Sequence, residues 1–388
     1  MPHLIRLMSQ RARTLAVTGA LYLLLVRETR AESSVTYKYE DYQEAGGRIA
    51  VKAQYALFDQ TIGTDTVVKV SGAIDAITGA TPTGQPGATA ADPVMMTQIE
   101  DRRKAWTADF SRQIGRVNLD LGVADSRESD YVSNGLSLTT VTDFNAKNTA
   151  LVLGVAANND NVKVFYQSAR AFKRGLDGLI GVNQLIDPAT SLTFNLTVGR
   201  ASGYLSDPYK IILKTTQILP GVTLPLTFPE NRPQERNKWI AFVGYNHAVA
   251  AWDGAVDASY RFYHDSFGTA SHTLAVTWLQ NLNAHLILAP TVRYYEQSAA
   301  DFYHLSLDGT SIVPGFTPNA AGPFFSADYR LSHLRTYTYG LKLVWHPTDS
   351  VQLDLAYDRY EMKGLDGLTS PTAYPRANTV TAGVRYAW

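Results

Sequence analysis

The C-terminal residues alternate without a break. Val380, Ala382, Val384, Tyr386 and Trp388 fall on one face, and Thr381, Gly383, Arg385 and Ala387 fall on the other. Upstream, Val351, Leu353, Leu355 and Tyr357 alternate with Gln352, Asp354, Ala356 and Asp358, and Tyr337 to Trp345 repeats the pattern. Successive side chains of a strand point to opposite faces, so each segment has one apolar and one polar side. A soluble β-sandwich alternates in the same way. Segment length separates the two classes. These segments run about ten to twelve residues, against about 5–6 in soluble sheets and about 9–11 for a tilted membrane strand.

The connectors add to this reading. His346–Ser350 and Gln280–Ala284 are tight, whereas Gly203–Arg236, Gln297–His333 and Met362–Arg376 are long and rich in Pro, Gly and Asn. A strict alternation of short and long connectors is the arrangement of periplasmic turns and extracellular loops. Trp278, Trp345 and Trp388 lie beside short connectors, and Tyr260, Phe262, Tyr294, Tyr337 and Tyr339 near long ones, as two interfacial aromatic girdles require. The pattern predicts an all-β, up-and-down antiparallel transmembrane barrel. Its sixteen strands fall near 34–43, 47–57, 64–75, 102–113, 116–125, 131–143, 148–157, 175–186, 191–202, 237–246, 254–264, 271–280, 285–296, 334–345, 351–361 and 377–388. The alternation is weakest at 34–43 and 175–186, which leaves fourteen strands as the alternative.

Composition is consistent with this class and excludes others. The mean hydropathy of −0.14 argues against a helical membrane protein but not against a barrel, where alternation cancels in the mean. No cysteine is present, which removes thiol catalysis, thiolate metal sites and c-type haem attachment. The 35 basic and 35 acidic residues balance, so no nucleic-acid partner is expected. The balance hides a division. Residues 1–31 carry Arg6, Arg11 and Arg13, an apolar run from Thr14 to Val26, and Ala31 at a plausible cleavage point. They read as a secretory signal peptide. The alternative, a signal anchor, would need a run long enough to cross about 30 Å of hydrocarbon. Cleavage would remove five basic residues and one acid, leaving 30 basic against 34 acidic and a net charge of −4. Residues 32–388 form the barrel domain.

Arg48, Lys52, Asp120, Asn195, Asp257, Arg261, Arg293, Lys342, Asp354, Asp358 and Arg385 fall on the polar strand faces and are expected in the lumen, since a lipid-facing charge costs about 2–4 kcal/mol at the midplane. A barrel this wide is not filled by its own strand side chains. It either conducts or is plugged by its long loops. The last strand, Val380 to Trp388, is the segment expected to engage the barrel-assembly machinery, and outer-membrane lipid and lipopolysaccharide are the expected surroundings.

Asp75-Ala-Ile-Thr-Gly-Ala-Thr-Pro82, Ser126-Arg-Glu-Ser-Asp-Tyr131, Phe144-Asn-Ala-Lys-Asn-Thr149, Gly203-Tyr-Leu-Ser-Asp-Pro-Tyr-Lys210, Tyr260-Arg-Phe-Tyr-His-Asp265 and Ser326-Ala-Asp-Tyr-Arg-Leu331 resemble an uncharacterised Gram-negative family known only as a domain of unknown function. The resemblance extends over nearly all of the mature chain. It implies an exported outer-membrane barrel and brings no assigned activity or catalytic residue. It further implies a link to envelope redox chemistry or cofactor maturation, through periplasmic thioredoxin-like or flavin-related partners.

Several of these motifs lie at strand ends and loop starts. Asp75 is expected to open a long Ala76–Asp101 loop, in which Gly79, Pro82, Gly84, Pro86 and Gly87 disfavour strand. Asp and Thr in such places cap turns. A functional alternative gathers Glu128, Asp130, Asp207, His264, Asp265, Asp301, His304 and Asp328 at the extracellular rim, where oxygen and imidazole ligands would hold a divalent cation. No other cofactor is expected. His264-Asp265-Ser266 also invites comparison with rim-active hydrolases. Adjacent strand residues point apart, so His264 would need Asp301 or Glu296 as its partner.

Overall fold

The computed structural model describes residues 33–87 and 92–388. The expected signal segment lies outside them. The barrel wall begins with β1 (Ser34–Glu44), β2 (Ile49–Ile62), β3 (Thr66–Pro82), β4 (Met96–Ile114), β5 (Val117–Arg127) and β6 (Tyr131–Phe144). It continues through β7 (Thr149–Val162), β8 (Ala171–Asp187) and β9 (Thr190–Gly203). A separate hairpin, β10 (Ile211–Leu219) and β11 (Val222–Pro229), interrupts the wall. The wall resumes with β12 (Glu235–Val249), β13 (Gly254–Asp265), β14 (Ala270–Asn283) and β15 (Leu286–Gln297). It ends with β16 (Leu334–Thr348), β17 (Val351–Gly364) and β18 (Arg376–Ala387).

Sixteen strands close into one antiparallel barrel, each pairing with its sequence neighbour except where the hairpin stands between β9 and β12. β18 closes the ring on β1 in the register Ser34↔Ala387, and Ser33 and Trp388 exchange backbone hydrogen bonds at 3.2 and 3.0 Å. Sixteen therefore holds over fourteen, and β1 and β8, the weakest in alternation, are full members of the wall.

Side-chain parity sorts the wall. Val35, Tyr37, Phe58, Val70, Trp106, Phe110, Leu136, Val155, Leu341, Leu355 and Val384 are exposed on the outer face. The opposite parity carries ion pairs: Lys38 to Asp354 at 3.6 Å, Lys69 to Asp59 at 3.5 Å, Arg103 to Asp75 at 2.7 Å, and Lys238 to Asp177 at 2.6 Å. Asp120, Asn195, Asp257, Arg261, Arg293, Lys342, Asp354, Asp358 and Arg385 share this inward parity. Arg48, in the β1–β2 turn, also reaches inward, with its Nε 3.0 Å from Glu44. Lys52 does not. It lies on the outer face of β2 with Gln54, Ala56 and Phe58, while Ile49, Val51 and Ala53 point inward and are buried.

Three further expectations are corrected. The strands run longer than expected, up to 19 residues in β4. Half of Ala76–Asp101 is wall, because β3 and β4 stay paired to Pro82↔Met96. Gly79 makes this extension feasible: its φ is +124°, and a Cβ there would lie 1.7 Å from the Arg48 carbonyl oxygen. Finally, the connectors do not alternate strictly. The long ones all lie at one end, but 45–48, 128–130 and 266–269 at that end are short.

Candidate functional site

At the long-loop end the connectors fold over the barrel and pack on one another. The chain leaves β9 at Gly203, whose φ is +101° and where an added Cβ would lie 2.3 Å from the Phe172 carbonyl oxygen, so the position suits glycine alone. It then crosses the mouth. Buried Lys210 donates to the Pro82 carbonyl oxygen at the end of β3, and the Ile211 amide donates to Thr83 O at 2.9 Å. β9 and β3 stand six positions apart in a ring of sixteen, so this connector spans much of the bore. A second connector, 298–333, meets it there. Asn231 and Phe325 exchange backbone hydrogen bonds at 3.0 and 2.8 Å, and the Asn231 amide donates to Asn319 O and Pro323 O.

Apolar clusters weld the two connectors. One consists of Ile212, Phe228, Leu307, Phe325 and Ala327. Another joins Phe267 to Ala300, Phe302 and Leu331. A third packs Tyr329 and Leu334 against Ala373 and Tyr374 of the β17–β18 connector. Arg48 ties that connector to the β1–β2 turn by donating to Thr372 O and Ala373 O at 2.9 and 3.0 Å. The cap descends into the lumen: the inward residues Ala53 and Ala377 are fully buried, and Thr336 and Thr379 retain 3% and 4% exposure.

A charge network lies inside the cap. Arg232 contacts Glu230 at 2.6 Å and Asp328 at 2.8 Å, while Arg330 contacts Asp328 and Asp207, each at 2.5 Å. Ser326 donates to Glu230 at 2.5 Å. With Lys210, the cluster has three acids and three bases, so burial is offset by pairing. Burial opposes ionisation of Asp328, yet Arg330, Lys210 and Arg232 hold its carboxyl well below the usual carboxylate range. Burial pushes Glu230 upward against the pull of Arg232. Beneath the network, a cavity of about 30 Å³ lined by Glu44, Arg48, Thr81, Asp207, Lys210 and Arg330 has room for about one water.

The eight rim candidates fall into separate groups. Asp207 and Asp328 belong to the arginine network. Asp265 accepts from Arg236 Nε at 2.6 Å and from the Phe267 and Thr269 amides. His264 lies on the outer face of β13, opposite Trp239 and Ala270 in register. Asp301 and His304 donate their amides to Phe267 O and Ser326 O, both at 2.9 Å. Glu128 and Asp130 do converge, joined by Asp101, with ligand oxygens all within 4.8 Å. Burial raises the Glu128 carboxyl to about 7, with Asp130, Asp101 and Asp75 adding and Arg103 opposing, and its Oε1 is buried without a hydrogen-bond partner. Tyr209 from the crossing connector donates to Asp130.

Lys210, Glu230, Arg232, Arg236, Arg330, Asp101 and Tyr209 were not singled out from sequence. A signal existed: Glu230-Asn-Arg232 and Asp328-Tyr-Arg330 share an acid-x-Arg spacing. An arginine two residues from an acid in each of two returning connectors favours mutual pairing over metal ligation.

The chain is similar to several solved structures. CdiB from Acinetobacter baumannii superposes with a TM-score of 0.51 at 7% identity, covering 93% of this chain and 61% of that one. A bacterial polysaccharide outer membrane secretin gives 0.48 at 8% identity, covering 93% and 100%. The siderophore receptor PirA from Pseudomonas aeruginosa gives 0.46 at 10% identity, covering 92% and 62%. The chain spans less than two thirds of the siderophore receptors' length, 62% here and 54% for PirA from A. baumannii. No curated protein matches the sequence. The closed sixteen-stranded wall with an apolar outer face is the fold of outer-membrane β-barrels. Within that class the chain belongs to the family described as protein of unknown function (DUF3570), whose model matches residues 12–388.

Proposed function

We propose that the protein resides in a bacterial outer membrane as a loop-capped barrel, with the long connectors at the cell surface and the short turns, the start of β1 and the finish of β18 on the periplasmic side. The observation that carries this reading is the crossing of the 204–234 connector from β9 to the end of β3. A wide barrel with open loops would conduct continuously. Here a buried, charge-paired and apolar cap spans the mouth. The cap favours a scaffold, or a conduit opened by displacing it, over a constitutively open pore. Contacts with thioredoxin-like or flavin-related proteins would fall at the short-turn end, and β18 would engage the assembly machinery. The hydrolase alternative draws no support from His264, whose cross-strand neighbours are Trp239 and Ala270.

The chain has no cysteine, which makes topology directly testable. Leu219→Cys in the exposed hairpin should react with an impermeant maleimide on intact cells, and Trp252→Cys at the short-turn end only after permeabilisation. The reverse pattern, or recovery in the soluble periplasmic fraction without heat-modifiable mobility, would overturn the proposal.

A second reading concerns Asp101, Glu128 and Asp130. Their spacing suits a hard divalent cation, and the orphaned Glu128 Oε1 is the observation that favours it. Titration with Ca²⁺ that leaves the melting temperature unchanged would contradict this reading.

A further inference from the structure

Three cations on the outer face of this barrel are paired with acids. Arg335 lies opposite Lys363 but also opposite Glu296, which it contacts at 3.0 Å, and Arg200 contacts exposed Glu235. Arg359 lies 3.3 Å from Glu361. The wall formed by β2 to β5 gathers four cations within two neighbouring rows. Lys52 on β2 is opposite Ala76 on β3, which is opposite Arg102 on β4. One outward step along β4, Lys104 is opposite Ile74 on one side and Arg127 on the other. All four cations are exposed. Like charges directly opposed across strands are destabilising, and Lys104 has no acid opposite it on either side.

The acids near this strip are few. Asp125 contacts Arg127 at 3.0 Å and accepts from Asn134. Asp41 is opposite Lys52 and accepts from Gln43 at 3.0 Å. Glu100 lies two residues toward the loop end from Arg102. Among the described residues Lys52, Arg102 and Lys104 have no ion-pair partner. Directly toward the short-turn end, the same outer face becomes apolar, through Ile74, Trp106, Val70, Phe110 and Phe58. A tryptophan beneath a cation strip marks the depth of lipid headgroups.

We infer that Lys52, Arg102, Lys104 and Arg127 form a binding strip for the phosphates of a phosphorylated glycolipid of the outer leaflet, of the lipid A type. The acyl chains would lie along the Trp106 and Ile74 surface, and the phosphates would relieve the Lys104–Arg127 repulsion. This rests on the outer-membrane placement proposed above, with the long-loop end outward.

The test uses the full mature chain folded into phosphatidylcholine vesicles, alone or doped with bisphosphorylated or dephosphorylated lipid A. Heat-modifiable mobility reports insertion, and native mass spectrometry reports bound lipid A. Wild type is expected to retain the bisphosphorylated form selectively. Combined Lys52→Gln, Arg102→Gln and Lys104→Gln should weaken retention by roughly tenfold to a hundredfold with insertion unchanged. Arg200→Gln, on β9 and five strand positions from β4, should have no effect. Equal retention by the triple variant, or of dephosphorylated lipid A by wild type, would overturn the assignment. Should the triple variant fail to insert, added salt must weaken retention by wild type, and salt-independent retention would count against the strip. Failure of wild type to insert into any vesicle would instead overturn the membrane placement itself.

Discussion

Arg232 and Asp328 lie 2.8 Å apart, both almost wholly buried, and they join the two longest connectors of the barrel. One follows β11 and the other precedes β16, so the pair locks segments 96 residues apart in sequence. Removing Asp328 leaves three bases, Lys210, Arg232 and Arg330, against two acids, Asp207 and Glu230. Asp328→Asn should therefore cost about 3–5 kcal/mol in the cap, read as faster tryptic cleavage within 204–234. The apolar replacement of Arg232 by Met together with Asp328→Asn should cost less than Asp328→Asn alone. A single variant with unchanged protease resistance would show that the network does not hold the cap.

Gly79 tests the extended β3–β4 wall. Ala at this position would place its Cβ 1.7 Å from the Arg48 carbonyl oxygen and adopt a φ of +124°. Gly79→Ala should cost on the order of 4 kcal/mol or more and reduce the heat-modifiable fraction after refolding. Gly72→Ala, where nothing lies within 4 Å of the added carbon, is the matched control and should refold normally.

Glu128 gives the rim a pH dependence. Its carboxyl is raised from 4.5 to about 7 in the folded protein, chiefly by burial. A raised carboxyl favours the folded state while protonated, so its stabilisation is complete below about pH 4.5 and is lost as pH rises through about 7. Glu128→Gln should flatten the melting-temperature profile over that window. If a divalent cation binds with Asp101 and Asp130, its stabilisation should grow above pH 7, as the competing proton leaves, and vanish in Glu128→Gln.

The wall was legible because alternation, turn position and terminal aromatics all point the same way, as Val380 to Trp388 illustrates. Lys52 was misassigned for a physical reason. Ile49, Val51 and Ala53 face inward under the cap, so polarity inverts locally and the apolar side of β2 is the lumenal one. The β10–β11 hairpin was hidden by Pro225 and Pro229, which read as breakers. They are tolerated because β11 pairs only with β10, leaving one edge free. The rim acids were expected to gather at one site but divide among several, because Arg232–Asp328 and Arg330–Asp207 pair across connectors that strand periodicity does not place.

The most direct measurement is single-channel conductance in a planar bilayer, comparing residues 32–388 with a variant in which residues 205–233 are replaced by a short Gly-Ser linker. The expected result is little or no conductance from the full chain and discrete openings from the shortened one. Large, steady conductance from the intact chain would contradict the capped barrel.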